Sequence, residues 1–319
     1  MKILVTGAAG FIGSHLTDRL LKEGHEIIGI DNFNNYYDPK IKEQNLKSAF
    51  RLKFFKLYKA DICDFKSLSN IFQKEKPQKI AHLAARAGVR SSIKNPQLYT
   101  QVNVLGTVNL LKLAVDFNVE QFIFGSSSSV YGQSKQLPFF ENDSCNNIIS
   151  PYGASKRAAE FFVESFYKTY RLKSTILRFF TVYGPRGRPD MAPALFSKAI
   201  LEGKSINQFG DGSSSRDCTY IDDIVDGILK SLEKIYDFEI INLGNNHPIK
   251  LSDFIRTLEK VIGKKAKVNK LPMQPADVEK TWANIEKARV LLGWRPKTNL
   301  QEGLKEYVKW YLQYRKTQK

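Results

Sequence analysis

Ile3-Leu4-Val5-Thr6-Gly7-Ala8-Ala9-Gly10-Phe11-Ile12-Gly13 follows Met1 and Lys2 and sets the reading of the whole chain. Residues 3–6 form a short β-branched run that predicts a strand, and the amphipathic stretch 15–21 predicts a helix. Glycines between such elements allow a tight turn, let backbone approach a pyrophosphate and let helix pack on strand, while the helix N-terminus offers free N–H groups to phosphates. Gly7, Gly10 and Gly13, with Phe11 and Ile12 between them, are therefore predicted to cradle a dinucleotide. The same run has some look of a short leader peptide, but its three glycines and the lack of a clear cleavage site argue for strand and turn.

Asp31 ends a second predicted strand, 26–30, eighteen residues beyond Gly13. A carboxylate there accepts hydrogen bonds from both hydroxyls of an adenosine ribose. Asn32 follows instead of Arg, so a 2′-phosphate would meet repulsion without relief, and the pair predicts NAD rather than NADP. Further β-branched runs at 79–83, 121–125 and 174–177 alternate with helical patterns. That alternation predicts an α/β fold built on a Rossmann-type, doubly wound parallel sheet. After residue 177 the rhythm loosens at 184–193 and 210–215, which places a soft boundary near 178. Strand and helix signals return at 222–234, 239–243 and 251–263, and a last amphipathic helix is predicted near 300–314.

The chain has 319 residues, 42% hydrophobic and 25% charged, a balance that excludes a disordered tail or a collagen-like rod. No stretch approaches the roughly eighteen apolar residues of a membrane-spanning helix. The net charge of +17 attracts polyanions: nucleic acid, acidic membrane or phosphorylated small molecules. Most of the lysines are scattered, Lys264, Lys265, Lys267 and Lys270 make the only tight group, and no aromatic-interleaved basic strand or recognition helix is seen. The expectation is a solvated basic face, with no specific nucleic acid and no membrane as partner. Cys63, Cys145 and Cys218 are odd in number and lack metal-knuckle spacing, so no metal site and a reducing cytoplasmic location are predicted.

Tyr152 and Lys156 stand four apart in Pro-Tyr-Gly-Ala-Ser-Lys and share one helix face. A nearby ammonium favours phenolate over phenol, as a general base for an alcohol requires. Ser126 to Ser129 follow the predicted strand 121–125, at the end where open α/β sheets bind ligands. Ser127, Tyr152 and Lys156 are thus the catalytic candidates.

With these residues in place the chain resembles an extended short-chain dehydrogenase/reductase of the nucleotide-sugar epimerase and dehydratase family. The matching elements are the glycine turn, Asp61-Ile62, His82-Leu83-Ala84-Ala85, Ser127 with Val130-Tyr131-Gly132, Tyr152 with Lys156, and Arg216-Asp217 before Tyr220-Ile221-Asp222-Asp223. The resemblance implies that Asp61 and Ile62 hold adenine, that Ala84 lines the cofactor, and that Lys156 also contacts the nicotinamide ribose. It implies that Phe209 stacks on uracil and that Arg216 clamps the diphosphate. It implies residues 1–178 as an NAD-binding domain and 179–319 as a smaller, mainly UDP-sugar-binding α/β domain, with some segments returning to the first. It also implies a homodimer joined by the Tyr152 helix and a helix near 98–117, with Phe161, Phe162 and Phe166 facing a partner or the core.

Related dehydratases and decarboxylases carry carboxylates next to Ser127, where this chain has Ser127-Ser128-Ser129-Val130. Without a second acid or base, the economical reaction is oxidation and re-reduction at one carbon, an epimerisation. Thr181 in Phe179-Phe180-Thr181-Val182-Tyr183-Gly184-Pro185, the loop Arg186-Gly187-Arg188-Pro189-Asp190-Met191, and Arg90 after Ala87-Gly88-Val89 are similar to UDP-glucuronate 4-epimerases. A sugar carboxylate calls for a hydroxyl and a guanidinium, which Thr181 with Ser128 and Arg188 or Arg90 would provide. Alternatives are a UDP-glucose or UDP-N-acetylglucosamine 4-epimerase, a UDP-glucuronate decarboxylase, or a non-catalytic NAD-binding regulator. Two departures stand out. Gln274-Pro275-Ala276-Asp277 has Ala276 where the glucuronate group carries Gly, which bears on the uridine-side role of Asp277, and Pro193 is expected to alter the start of its helix.

Overall fold

The computed structural model describes residues 1–274 and 276–317. Its strands are β1 (Lys2–Thr6), β2 (Glu26–Asp31), β3 (Phe55–Lys59), β4 (Lys79–His82), β5 (Gln121–Ser127), β6 (Ser174–Phe179), β7 (Thr181–Tyr183), β8 (Ser205–Phe209), β9 (Ser215–Tyr220), β10 (Phe238–Leu243), β11 (Pro248–Lys250) and β12 (Lys267–Leu271). Helices α1 (Phe11–Lys22), α2 (Pro39–Asn45), α3 (Phe65–Glu75), α4 (Val89–Lys94), α5 (Pro96–Thr100), α6 (Gly106–Asp116) and α7 (Pro151–Tyr170) fall before β6. They are followed by α8 (Ala192–Glu202), α9 (Ile221–Glu233), α10 (Leu251–Ile262), α11 (Glu286–Leu292) and α12 (Leu300–Thr317).

Seven strands form a wholly parallel sheet in the order β3-β2-β1-β4-β5-β6-β10. The order reverses between β1 and β4, and in such sheets the crevice beyond the carboxyl ends at that reversal receives the ligand. Ile3, Val5 and Ile27 pack against one layer of helices, while Leu4, Ile28, Ile80 and Phe122 pack against the other. The sheet is therefore apolar on both faces, as parallel sheets covered by helices require. A three-stranded sheet, β11-β9-β7, and a two-stranded one, β12-β8, lie outside it.

Residues 238–243 supply the outermost strand of the large sheet although they follow the smaller sheets in sequence. The five predicted strands are present, each extended by a residue or two at an end or shortened by one. β3 was not read from the sequence. Its pattern, Phe-Lys-Leu-Tyr-Lys, alternates only partial burial because it lies at the sheet edge. This strand also corrects the charge reading. Phe50-Arg51-Leu52-Lys53-Phe54-Phe55-Lys56-Leu57-Tyr58-Lys59 is an aromatic-interleaved basic stretch, and all of 50–54 is exposed.

The predicted helix 98–117 is broken. A wide π-type turn at Gln101–Leu105 separates α5 from α6 and buries Asn103. Asn103 brackets Arg86 by accepting from its N–H at 2.7 Å and donating to its C=O at 3.0 Å, and donates to Ser155 on α7 at 2.9 Å. Pro193 sits in the first turn of α8, where a missing N–H costs no helix bond, so its feared distortion is absent.

Gly7 has φ +70°, and a Cβ on Gly13 would lie 2.0 Å from the Gly7 carbonyl oxygen. The turn and α1 can approach only because Gly13 has no side chain, while a Cβ on Gly7 would press on the backbone of Leu83 and Ala84. Gly13→Ala is expected to destabilise the fold by at least about 1–3 kcal/mol, the usual cost of overpacking, as measured by urea unfolding.

Candidate active site

The N-terminus of α1 follows directly from the glycine turn. Its N-cap, Gly10, has no side chain to cap the helix, and the first turn contains no acid, so its N–H groups face the crevice free. Across the turn, Asp31 accepts from the Ala9 N–H at 3.1 Å and the Phe33 N–H at 2.9 Å. Burial pushes the Asp31 carboxyl up, and the neighbouring Lys42 ammonium and the two N–H groups draw it back down. Asn32 donates to Asp61 at 2.8 Å, so Asp61 braces the loop after β2 while Ile62 faces the cleft.

Residue 150 sets the reactive helix. The Ser150 hydroxyl accepts from the Gly153 N–H at 3.1 Å and Pro151 occupies the first turn, which starts α7 with Tyr152 and Lys156 turned toward the sheet. Lys156 Nζ donates to the Gly125 carbonyl at 2.7 Å and is almost fully buried. Burial pulls its pKa down to about 7, opposed by the Glu160 charge one turn on. Glu160 accepts from Arg178 at 3.0 and 2.8 Å, from Ser126 at 2.6 Å and from Arg157 at 2.9 Å.

The Tyr152 phenol differs from the sequence expectation. Burial raises its pKa above the ordinary tyrosine value, and the influences that pull it down are a hydrogen bond with Ser127 and the charge of Arg188, not Lys156. Lys156 donates to Gly125 instead, and its burial disfavours the charged form.

Two clefts meet at this point. One, of about 340 Å³, gathers Gly7, Gly10, Phe11, Ile12, Gly13, Asp31, Asn32, Ile62, Ala84, Ser127, Tyr152 and Lys156. The other, of about 680 Å³, gathers Arg90, Phe209, Arg216 and Asp277. Thr181, Arg188, Tyr36, Gly88, Val89 and Met191 border both, so the clefts are continuous beside Tyr152. Ser128 begins the turn after β5 and borders neither.

In the second cleft the predicted residues engage one another. Arg90 pairs with Asp277 at 2.9 Å and its guanidinium lies 4.4 Å from the centre of the Phe209 ring, the face expected to take uracil. Arg188 grips Asp190 through Nε at 2.9 Å and Nη2 at 2.8 Å, so two of its donors are already used. Arg216 donates to the carbonyls of Ser215 and Glu279 at 3.0 and 3.3 Å. Pro275 lies outside the described residues, while Ala276 has φ +61°, a conformation natural to the Gly found there in similar sequences.

Sequence reasoning missed Lys42, buried with Nζ 3.9 Å from Asp31, and the Tyr36 hydroxyl, which donates to Asp190 at 3.1 Å. Neither has a local signal: Lys42 reads as one more helix lysine, and the Tyr36–Asp190 contact spans 154 residues. Glu160 was missed too, since its partners come from β5 and β6.

The Arg186–Arg188 loop is pinned to α1. Arg186 pairs with Asp18 at 2.7 Å, and His15 Nε2 donates to the Pro185 carbonyl at 2.9 Å. Burial, helped by the Arg186 charge, pulls the His15 pKa down from 6.5 to about 4. The folded state thus binds fewer protons than the unfolded state between those values. Stability from this group is complete above pH 6.5 and is lost as pH falls toward 4, by up to about 3 kcal/mol. Urea unfolding at pH 7, 5.5 and 4 should show this loss, and His15→Gln should flatten it.

The pattern of the family described as GDP-mannose 4,6 dehydratase matches residues 4–307, and the chain belongs to that family, within the extended short-chain dehydrogenases/reductases. It is 46% identical over 309 residues to a UDP-glucuronate 4-epimerase of Thermodesulfobacterium geofontis, covering 96% of this chain and 95% of that one. Its structure is similar to UDP-glucuronic acid 4-epimerase from Bacillus cereus in complex with UDP-glucuronic acid and NAD, with TM-score 0.93 and 39% identity over 98% of this chain and 100% of the other. UDP-glucose 4-epimerase from Thermotoga maritima with UDP-glucose gives TM-score 0.89 and 34% identity over 100% of both.

Proposed function

We propose that the chain is an NAD-dependent UDP-sugar 4-epimerase that interconverts UDP-glucuronate and UDP-galacturonate. The observation that carries this reading is the junction of the two clefts. There Tyr152 stands with Ser127, Thr181 and Arg188; among the described residues lining the first cleft the only carboxylate is Asp31, at the end of β2, and Asp190 beyond the junction is held by Arg188. One reversible proton transfer can be served; an elimination, which needs a second acid or base, cannot.

The cradle fits a dinucleotide. The glycine turn leaves no room for side chains, the α1 N–H groups are free for a diphosphate, and Asp31 with Lys42 stands where an adenosine ribose would lie. NAD supplies, when bound, a reversible two-electron acceptor for the sugar C4. Gly7, Gly10, Phe11, Ile12, Gly13, Asp31, Asn32, Ile62 and Ala84 would hold it, with Asp61 bracing Asn32. Tyr152 would take the 4-hydroxyl proton and give it back to the same oxygen after the 4-keto sugar has turned over, with Ser127 bonding that oxygen. Lys156 would hold the nicotinamide ribose. Phe209, Arg216, Arg90 and Asp277 would hold the uridine diphosphate, which needs Arg90 to move off the Phe209 face.

Oxidised at C4, glucuronate is a β-keto acid, and it loses CO₂ when the C5–C6 bond aligns with the carbonyl π system. Thr181 and Arg188 would hold the carboxylate out of that alignment; Ser128, outside both clefts, would not reach it. The Arg188–Asp190 pair favours a second reading, a plain UDP-hexose epimerase in which this arginine is structural. Separate incubation with UDP-glucuronate, UDP-glucose and UDP-N-acetylglucosamine, with products read by NMR, decides between them. Residues 1–178 with the returning 221–243 segment would act as the cofactor domain, and the rest mainly as the sugar domain. A cytoplasmic homodimer is the proposed form, supported by three free cysteines and by exposed Phe161, Phe162 and Leu105 on α7 and the turn beside it.

Tyr152→Phe is expected to lower turnover by at least about a hundredfold while NAD stays bound, as read by steady-state kinetics and by cofactor content after gel filtration. Arg188→Ala is expected to cost on the order of 1.5–3 kcal/mol in kcat/KM for UDP-glucuronate, to spare UDP-glucose, and to release a 4-keto-pentose product and CO₂. Equal losses on both sugars would assign Arg188 to the fold.

A further inference from the structure

Phe50, Leu52 and Phe54 are 57%, 42% and 56% exposed, three large apolar side chains within five residues. They sit in the basic segment that leads into the edge strand β3. Between Gln44 and Ala60 the chain carries Lys47, Arg51, Lys53, Lys56 and Lys59 and no acid. Lys56 is paired with Glu75, but among the described residues Lys47, Arg51 and Lys53 have no carboxylate partner. Of the carboxylates near this corner, Asp18 is engaged by Arg186, Glu23 by Arg19 and Glu26 by Lys2, so the exposed Glu43 at the end of α2 offsets one of these positive charges and the patch stays net basic.

We propose that this corner, Lys47 to Phe54, docks the protein on an anionic lipid surface. The apolar side chains would enter the headgroup–hydrocarbon boundary, and the unpaired lysine and arginine side chains would meet lipid phosphates. A second copy of the chain does not fit the patch, since a two-fold contact would bring like charges together with no acid between them. Single-stranded nucleic acid fits less well. It is held by stacking on successive ring faces, and Leu52, between the two phenylalanines, offers no π face. Hydrocarbon accepts all three side chains.

The location makes docking compatible with activity. The Phe54 carbonyl accepts from the Ile27 N–H at 2.8 Å, which places the patch at the amino ends of β2 and β3. The two clefts lie at the carboxyl ends of the sheet, so a docked molecule keeps them open to solvent. Attachment is peripheral, since among the described residues no helix is long and apolar enough to cross a membrane. The inference does not depend on which sugar is epimerised.

The experiment is cosedimentation of the full chain with vesicles of phosphatidylcholine, or of phosphatidylcholine mixed with an equal part of phosphatidylglycerol, at low and physiological salt. Binding is expected only to the anionic vesicles and should weaken with salt. The triple variant Phe50→Ser, Leu52→Ser, Phe54→Ser and the double variant Arg51→Glu, Lys53→Glu should each weaken it by at least about tenfold. Thermal melting and turnover in solution should stay at wild-type values in both variants. No binding to anionic vesicles overturns the proposal, as does equal binding by wild type and both variants, which would leave only the diffuse charge. Tighter binding of a single-stranded oligonucleotide than of anionic vesicles, lost in the same variants, would reassign the patch to nucleic acid.

Discussion

Glu160, buried in α7, accepts hydrogen bonds from Arg178 on β6, Ser126 on β5 and Arg157 on its own helix. One carboxylate thereby joins the reactive helix to the two strands beneath it. A buried ion pair adds little net stability over apolar packing, but removing one partner leaves a naked charge and costs about 3–5 kcal/mol. Its value here is geometric. With α7 held in this register, Lys156 meets the Gly125 carbonyl and Tyr152 stands beside Ser127 where the clefts join. The tyrosine site depends on this anchor as much as on its own residues.

Charge organises the second cleft in another way. Arg90 with Asp277, and Arg188 with Asp190, each close a guanidinium on a carboxylate of the chain itself. These pairs keep the exposed Arg90 and the partly buried Arg188 neutralised without ligand, and they set what an anionic substrate must displace. A diphosphate competes well for an arginine because it offers several acceptors at once. The net charge of +17 attracts such a ligand from a distance but does not choose it.

The loop bearing Arg188 and the turn bearing the glycines are linked through α1. His15 and Asp18 on that helix hold Pro185 and Arg186, so the element whose N-terminus faces a dinucleotide also steadies a wall of the sugar cleft. One helix therefore serves both clefts, an arrangement built from contacts 168 and 170 residues apart in sequence.

Local pattern was enough for the glycine turn, the buried parallel strands and the Tyr152/Lys156 pair, because each rests on spacing within a few residues: strand period, helix pitch, or the steric needs of a turn. The edge strand β3 escaped because half-burial blurs its period, and the π-type turn at 101–105 escaped because its hydrogen-bond pattern depends on what Asn103 reaches across the fold. Lys42, Tyr36 and Glu160 were silent for the same reason. The sequence by itself determined which chemical groups exist and in which local frames they are carried. Only the tertiary structure decided that Lys156 is desolvated to a pKa of about 7, that Arg188 already holds Asp190, and that Arg90 lies on Phe209, since burial and charge pairing arise between segments that only folding brings together.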